Sequence, residues 1–284
     1  MDKVAIVGVG LIGGSFGLAL KKAGFSGKIL GVSSEPALRA ALERGAIDDT
    51  ATLGGAVEGA GLVYLAQPIG RILETLRHLN HYVRPEALVT DAGSTKQAIV
   101  AAARAHLGRC RFLGGHPMAG KEKRGVGEAD ADLFAGRTYV LTPPGPDDLD
   151  RPPMREFVHW INRIGARVVV LGAAEHDRIV SLTSHLPQLV STALAATVGE
   201  NLADDDELRV AGPGLLDSTR LALSSYELWR DILATNADAI DEALGAFLQK
   251  LEDVRDNLRT RQLEEHFAIG AALAGRLRKS ESAV

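Results

Sequence analysis

The chain has 284 residues, a formal net charge of −4, 46% hydrophobic and 24% charged residues, and a single cysteine, Cys110. That length fits about two domains, and the mild acidity argues against nucleic acid or an anionic membrane as the main partner, so an anionic substrate must be met by locally placed cations. No run of about 18 apolar residues offers a membrane span. The lone cysteine excludes an internal disulfide and points to a reducing, cytoplasmic setting.

The chain begins at once on the strand-like Val4–Val7, which leaves no room for a signal peptide. Further β-type runs follow at Lys28–Val32, Leu62–Ala66, Ala87–Asp91, Arg111–Leu113, Thr138–Leu141 and Arg167–Leu171, with helix-type runs between them. This alternation predicts an α/β, Rossmann-like domain with a doubly wound, mostly parallel sheet. Pro and Asp crowd residues 143–153, which read as a surface loop. The β pattern stops after Gly172 and everything beyond reads as helix. The expected division is therefore 1–172, a dinucleotide-binding domain, and 173–284, an all-α substrate and dimerisation domain. Within the second part Ile240, Leu244, Phe247, Leu251, Val254 and Leu258 step by fours and threes, an a/d seam that needs a partner in its own domain or on a second subunit.

The first strand runs into Gly8-Val-Gly10-Leu11-Ile12-Gly13 and then a helix. Glycines at these positions allow a tight turn, close approach of a pyrophosphate and close helix–strand packing, and the helix N-terminus turns N–H groups toward the phosphates. The cofactor expected is NAD or NADP. The carboxylate that would bind a ribose 2′-hydroxyl is replaced by Ser33, followed by Ser34 and Glu35, and the nearest arginine is Arg39. The sequence permits NADP without demanding it.

In an open parallel sheet, ligands bind beyond the carboxyl ends of the strands. There the chain places Gln67-Pro68 after the third run, Ala92-Gly93-Ser94-Thr95-Lys96 after the fourth, and Gly114-Gly115-His116-Pro117 after the fifth. We read the last as a turn that delivers one imidazole to a place where a proton must move. Ser94 is either a helix N-cap or a site residue, and Lys96 either meets an anion or pairs with Asp91. The run Lys121-Glu122-Lys123-Arg124 is solvated surface or an anion gate. Ser184 and Gln188 share a helical face where Pro187 should kink the helix. Arg220 has the planar donor geometry suited to a carboxylate. No metal site is expected.

The segments Gly8–Ser15, Asp91–Lys96, Gly114–Gly120, Ser184–Pro187 and Asp217–Arg220, taken in order, resemble the prephenate/arogenate dehydrogenases of tyrosine biosynthesis. The resemblance spans nearly the whole chain. It implies an NAD(P)-dependent oxidative decarboxylation of prephenate to 4-hydroxyphenylpyruvate, and a helical second domain that forms an intertwined homodimer. It casts His116 as acceptor of the substrate hydroxyl proton, with Ser94 orienting that hydroxyl. Arg220 would bind a substrate carboxylate, with Ser184, Gln188 and Lys121 lining the pocket. The chain departs from the family at Gln188, where a histidine is frequent, at Lys121, where a hydroxyl residue is common, and at Ser33, where an acid is common. These departures leave arogenate and prephenate, and NAD and NADP, as alternatives. A hydroxyacid dehydrogenase or imine reductase would use a lysine in the helical domain, and a non-catalytic dinucleotide sensor would need no Ser94, His116 and Arg220 together.

Overall fold

The structure is a computed structural model that describes residues 1–121, 123–145, 147–202, 204, 206–260 and 262–282, the last three without their side chains. Glu122 of the charge run and Pro146 of the Pro/Asp-rich loop lie outside the described residues.

Eight strands form one sheet: β1 (Lys3–Val7), β2 (Lys28–Val32), β3 (Asp49–Thr50), β4 (Leu62–Leu65), β5 (Leu88–Asp91), β6 (Arg111–Pro117), β7 (Thr138–Thr142) and β8 (Arg167–Val170). Their order is β3-β2-β1-β4-β5-β6-β7-β8, parallel throughout except between β6 and β7. The β1–β4 boundary is the point where strand order reverses, the place where such sheets bind dinucleotides. β3 is absent from the sequence expectation because two exposed polar residues carry no alternation to detect.

Helices α1 (Leu11–Lys22), α2 (Glu35–Glu43), α3 (Leu53–Val57), α4 (Ile69–Leu79), α5 (Gln97–His106) and α6 (Met154–Arg163) cover the two faces. Strand β1 shows why: Val4 and Ile6 enter one core with Phe16, Phe157 and Ile161, while Ala5 and Val7 enter the other with Ile72, Leu76 and Ile99. A strand buried on both faces reads as a continuous apolar run, which is how it appears in the sequence. In the first core the Phe16 ring stacks on Tyr64 at 3.9 Å, and the Tyr139 hydroxyl donates to Tyr64 at 3.1 Å.

After β8 come α7 (Ala173–Val180), a π-helical turn (Ser181–His185), α8 (Leu186–Asn201), α9 (Pro213–Thr219), a 3-10 turn (Arg220–Leu223), α10 (Tyr226–Thr235), α11 (Ala237–Asn257) and α12 (Glu264–Ser282). The change from sheet to helix thus falls where the sequence places it. The compact units divide at a different point, into Met1–Asn236 and Ala237–Val284. Hydrogen bonds explain the reach of the first unit. Asp231 on α10 accepts from Gly70 N at the start of α4 (2.8 Å), Thr235 meets Thr95 (2.8 Å), and Asp177 on α7 accepts from Lys96 N and Gln97 N at the start of α5 (2.7 and 2.9 Å). No described helix is long and apolar enough to cross a membrane.

One local expectation is corrected. Gly114-Gly115-His116-Pro117 is not a turn: β6 continues through it, leaving β5 and pairing antiparallel with β7, so that His116 faces Val140 in register. The glycines serve closeness. A Cβ on Gly114 would lie 2.1 Å from Thr142 Oγ1, and one on Gly115 would lie 2.6 Å from the Asp91 carbonyl.

Candidate active site

The glycine loop divides its work among three residues. Gly8 has φ +96°, a left-handed value that disfavours a side chain, and a Cβ there would stand 2.6 Å from the Ala66 carbonyl at the end of β4. A Cβ on Gly13 would strike the Gly8 carbonyl at 2.1 Å, so Gly13 lets α1 start against β1. At Gly10, the N-cap of α1, a Cβ would meet nothing within 4 Å. That open space sits before the N–H groups of Leu11, Ile12 and Gly13, where a pyrophosphate fits both the room and the helix dipole.

Ser33 and Ser34 are exposed just past β2, and Ser34 caps α2 without using its hydroxyl. Arg39 pairs with Glu35 on the surface of α2 (3.1 Å). Across the switch point, Gln67 accepts from Thr75 Oγ1 at 2.8 Å and Pro68 is the N-cap of α4. The cofactor candidates Gly8, Gly10, Leu11, Ile12, Gly13, Ser33, Ser34, Gln67 and Pro68 therefore all sit at the carboxyl ends of β1, β2 and β4.

The carboxyl end of β5 holds a sealed ion pair. Lys96 is fully buried, and its ammonium bonds the Asp91 carboxylate and the Gly115 carbonyl, the latter at 2.8 Å. Asp91 also accepts from Gly93 N (2.8 Å) and Gly115 N (3.1 Å), so the pair fixes the backbone beside His116. This settles Lys96 as the partner of Asp91. It also removes the capping role from Ser94: α5 starts at Gln97, and the Asp177 carboxylate from α7 supplies the cap. Ser94 stays half-buried on the loop between β5 and α5.

His116 is half-buried and its Nδ1 lies 2.8 Å from His176 Nε2; His176 Nδ1 in turn lies 2.7 Å from Asp177 Oδ1. His176 and Asp177 are fully buried. Burial, and next the neighbouring His176, Lys96 and His185, push the His116 imidazole well below its usual range, which keeps it a neutral base. Burial opposes ionisation of Asp177, but hydrogen bonds from His176, Gln97 N and Lys96 N outweigh it and hold the carboxyl below its usual range. His185 is buried beside Trp229 and within 3.2 Å of Asn236 Nδ2.

His176 and Asp177 escaped the sequence reading. Glu175-His176-Asp177-Arg178 looks like the solvated start of a helix, and only the fold turns its His-Asp pair toward β6. The expected disturbance at Pro187 is a widened turn: the N–H of Leu186 reaches back to Ser181, and Pro187 stands in the first turn of α8. Such π insertions recur at functional sites. Half-buried Ser184 lies in this turn. Gln188 is buried and donates to the Leu221 carbonyl at 2.8 Å, tying α8 to the 3-10 turn that Arg220 opens. Arg220 itself is exposed. Lys121 donates to the Glu128 carbonyl (3.1 Å) and the Asp130 carboxylate (3.0 Å). Asp130 N is in turn held by Ser15 of α1 (2.9 Å), and Arg124 donates to Ser225 Oγ.

A glycine loop opening a helix at the switch point and a neutral histidine at the same edge of the sheet fit the class of nicotinamide-dependent oxidoreductases. The chain belongs to the prephenate dehydrogenase family: the nucleotide-binding domain of prephenate dehydrogenase matches residues 16–170, and its dimerization domain matches residues 172–270. It is 37% identical over 273 residues to the prephenate dehydrogenase of Bacillus subtilis, covering 94% of this chain and 72% of that one. Among solved structures it resembles Aquifex aeolicus prephenate dehydrogenase in complex with hydroxyphenyl propionate and NAD+ (TM-score 0.87, 31% identity, 98% of both chains). It also resembles Synechocystis arogenate dehydrogenase (TM-score 0.80, 30% identity, 98% of this chain and 99% of that one).

Proposed function

We propose that this protein oxidatively decarboxylates prephenate to 4-hydroxyphenylpyruvate, with NAD or NADP as hydride acceptor. The observation that carries the reading is His116, a neutral, half-buried imidazole held through Nδ1 at the edge of the sheet where the glycine loop opens. Bound there, the oxidised nicotinamide supplies a hydride acceptor. His116 takes the proton of the ring hydroxyl as its carbon gives up hydride. The ring carboxylate then leaves as CO2, and the electrons of the broken bond aromatise the ring.

Ser94 orients the same hydroxyl, and Arg220 receives a substrate carboxylate. Gln188 acts by holding the Arg220 turn, Ser184 lines the pocket from the widened turn, and Lys121 borders it through its pairing with Asp130. Gly8, Gly10, Leu11, Ile12, Gly13, Ser33, Ser34, Gln67 and Pro68 hold the dinucleotide. We place the functional division at 172/173, with cofactor binding before it and substrate binding and dimerisation after it. A homodimer in the cytoplasm completes the reading. Exposed apolar residues on α11 and α12, among them Leu248, Leu251, Phe267 and Leu273, support a second copy as their cover. A light-scattering mass of twice 30.1 kDa is expected.

An absorbance assay at the reduced-nicotinamide band, pairing prephenate or arogenate with NAD or NADP, tests the function. Turnover with prephenate is expected. Turnover with arogenate alone would correct the substrate, and silence in all four combinations would overturn the reading.

A further inference from the structure

We propose that His176 and Asp177 are positioning residues that lock His116 in a single tautomer, with its proton on Nδ1 and its lone pair on Nε2 turned to the substrate. The inference deepens the function proposed above and rests on it for its kinetic consequences. Asp177 sets the order of donors and acceptors. An ionised carboxylate only accepts hydrogen bonds, and this one accepts three: Lys96 N and His176 Nδ1 on Oδ1, both at 2.7 Å, and Gln97 N on Oδ2 at 2.9 Å. His176 must therefore carry its proton on Nδ1. Its Nε2 is then an acceptor, and the group 2.8 Å away is His116 Nδ1, which must donate. A neutral His116 that donates from Nδ1 has its lone pair on Nε2.

The opposite arrangement requires His176 to be doubly protonated, because both its nitrogens would then donate. That places a full positive charge on a fully buried ring. Asp177 is poorly free to offset it, since two backbone N–H groups at the start of α5 already share its carboxylate. The tautomer thus follows from the order of donors and acceptors along three side chains, two of them fully buried.

The arrangement has a chemical purpose in the proposed reaction. As hydride leaves the ring carbon for the nicotinamide, the O–H bond breaks, its electron pair stays on oxygen to make the carbonyl, and the proton goes to His116 Nε2. The imidazolium so formed keeps its Nδ1–H bond to His176, whose own Nδ1–H points at the Asp177 carboxylate. The new positive charge is stabilised with no second proton transfer. Interposing His176 also keeps the carboxylate one imidazole farther from a substrate that is itself an anion, which limits repulsion.

The test combines long-range proton–nitrogen NMR of the full-length protein with kinetics of His176→Phe and His176→Gln. Wild-type His116 should show a protonated Nδ1 and an unprotonated Nε2, with His116→Asn used to assign the signals. His176→Phe keeps a ring but removes the acceptor. It should lower kcat by about 10- to 100-fold, the usual weight of a residue that orients a reacting group, with KM for prephenate within about twofold, and should move the His116 proton to Nε2. The Gln Oε1 in His176→Gln can accept from Nδ1, so this variant should recover most of the loss and retain the tautomer. A wild-type His116 protonated on Nε2, full turnover by His176→Phe, or equal losses in both variants would each overturn the proposal. If His176→Phe fails to fold, the wild-type spectrum and His176→Gln still decide it. Absence of turnover by the wild-type protein would strike the proposed function, while the spectrum would judge the tautomer separately.

Discussion

At the glycine loop the groups on offer are main-chain N–H groups, and what matters about the side chains is that they are missing: Gly10 leaves open space, and Gly8 and Gly13 let backbone meet backbone. At the carboxyl end of β6 the working groups are side chains, Asp91, Lys96, His116, His176 and Asp177, drawn from β5, β6, α7 and the approach to α5. Each of these requires its neighbour in a particular ionisation state. The first end depends on the geometry of a dozen consecutive residues; the second depends on distant segments meeting. Damage at the first should register in cofactor affinity and folding, and damage at the second in turnover and response to pH.

His116→Asn strains this comparison most. It should lower kcat by about 10²–10⁴, the weight of a lost general base, while leaving NAD or NADP affinity unchanged in a fluorescence titration. A parallel fall in cofactor affinity would show that the two ends are not separable. Arg220→Ala comes next, with KM for prephenate raised by about 10- to 100-fold and kcat changed little, as expected for loss of a charge-assisted bond made equally in the ground state. Steady-state kinetics check it, and an unchanged KM would remove Arg220 from the substrate site.

The glycine end can be split within itself. Gly13→Ala sets a methyl 2.1 Å from the Gly8 carbonyl, so backbone must shift at a cost of about 1–3 kcal/mol. Gly10→Ala sets its methyl in open space, so the fold should melt at the wild-type temperature. The same methyl stands where a pyrophosphate approaches, so cofactor affinity should drop about tenfold or more. Thermal denaturation with and without cofactor separates the two. A destabilised Gly10→Ala would mean that this space is used by the fold and not by a ligand.

The same contrast explains what could be read from the sequence. The cofactor end was legible because strand, glycines and helix are contiguous, and each glycine has a local steric reason. His116 stood out for its neighbours, Gly114, Gly115 and Pro117, although these extend a strand and pack it against Thr142 and Asp91 instead of making a turn. His176 and Asp177 were invisible because nothing local marks them: their meaning lies in contacts across 60 and 81 residues of chain. The sequence leaves the partner of Lys121 open, and the fold supplies it in Asp130, nine residues further on. β3 was lost for the opposite reason, being too short to have a pattern.

The smallest effect concerns stability and should appear at the histidine end alone. Burial lowers the His185 imidazole to about 4, against the pull of the Asp177 carboxylate and with help from His176. In the unfolded chain a histidine titrates near 6.5. As pH falls below that value the unfolded chain takes up a proton that the folded chain refuses, so stability is full above pH 6.5 and drains away toward pH 4. Between pH 7 and pH 5 His185 alone accounts for a loss of about 2 kcal/mol, and His116, shifted in the same direction, adds to it. His185→Gln keeps an acceptor for Asn236 Nδ2 and removes the titration. Denaturant unfolding at the two pH values should therefore show a shallower dependence in His185→Gln by about that amount, and the wild-type dependence in Gly10→Ala. Equal slopes in His185→Gln and wild type would mean that His185 takes its proton as readily when folded as when unfolded, and that its burial beside Asp177 and Trp229 opens at a cost too small to matter.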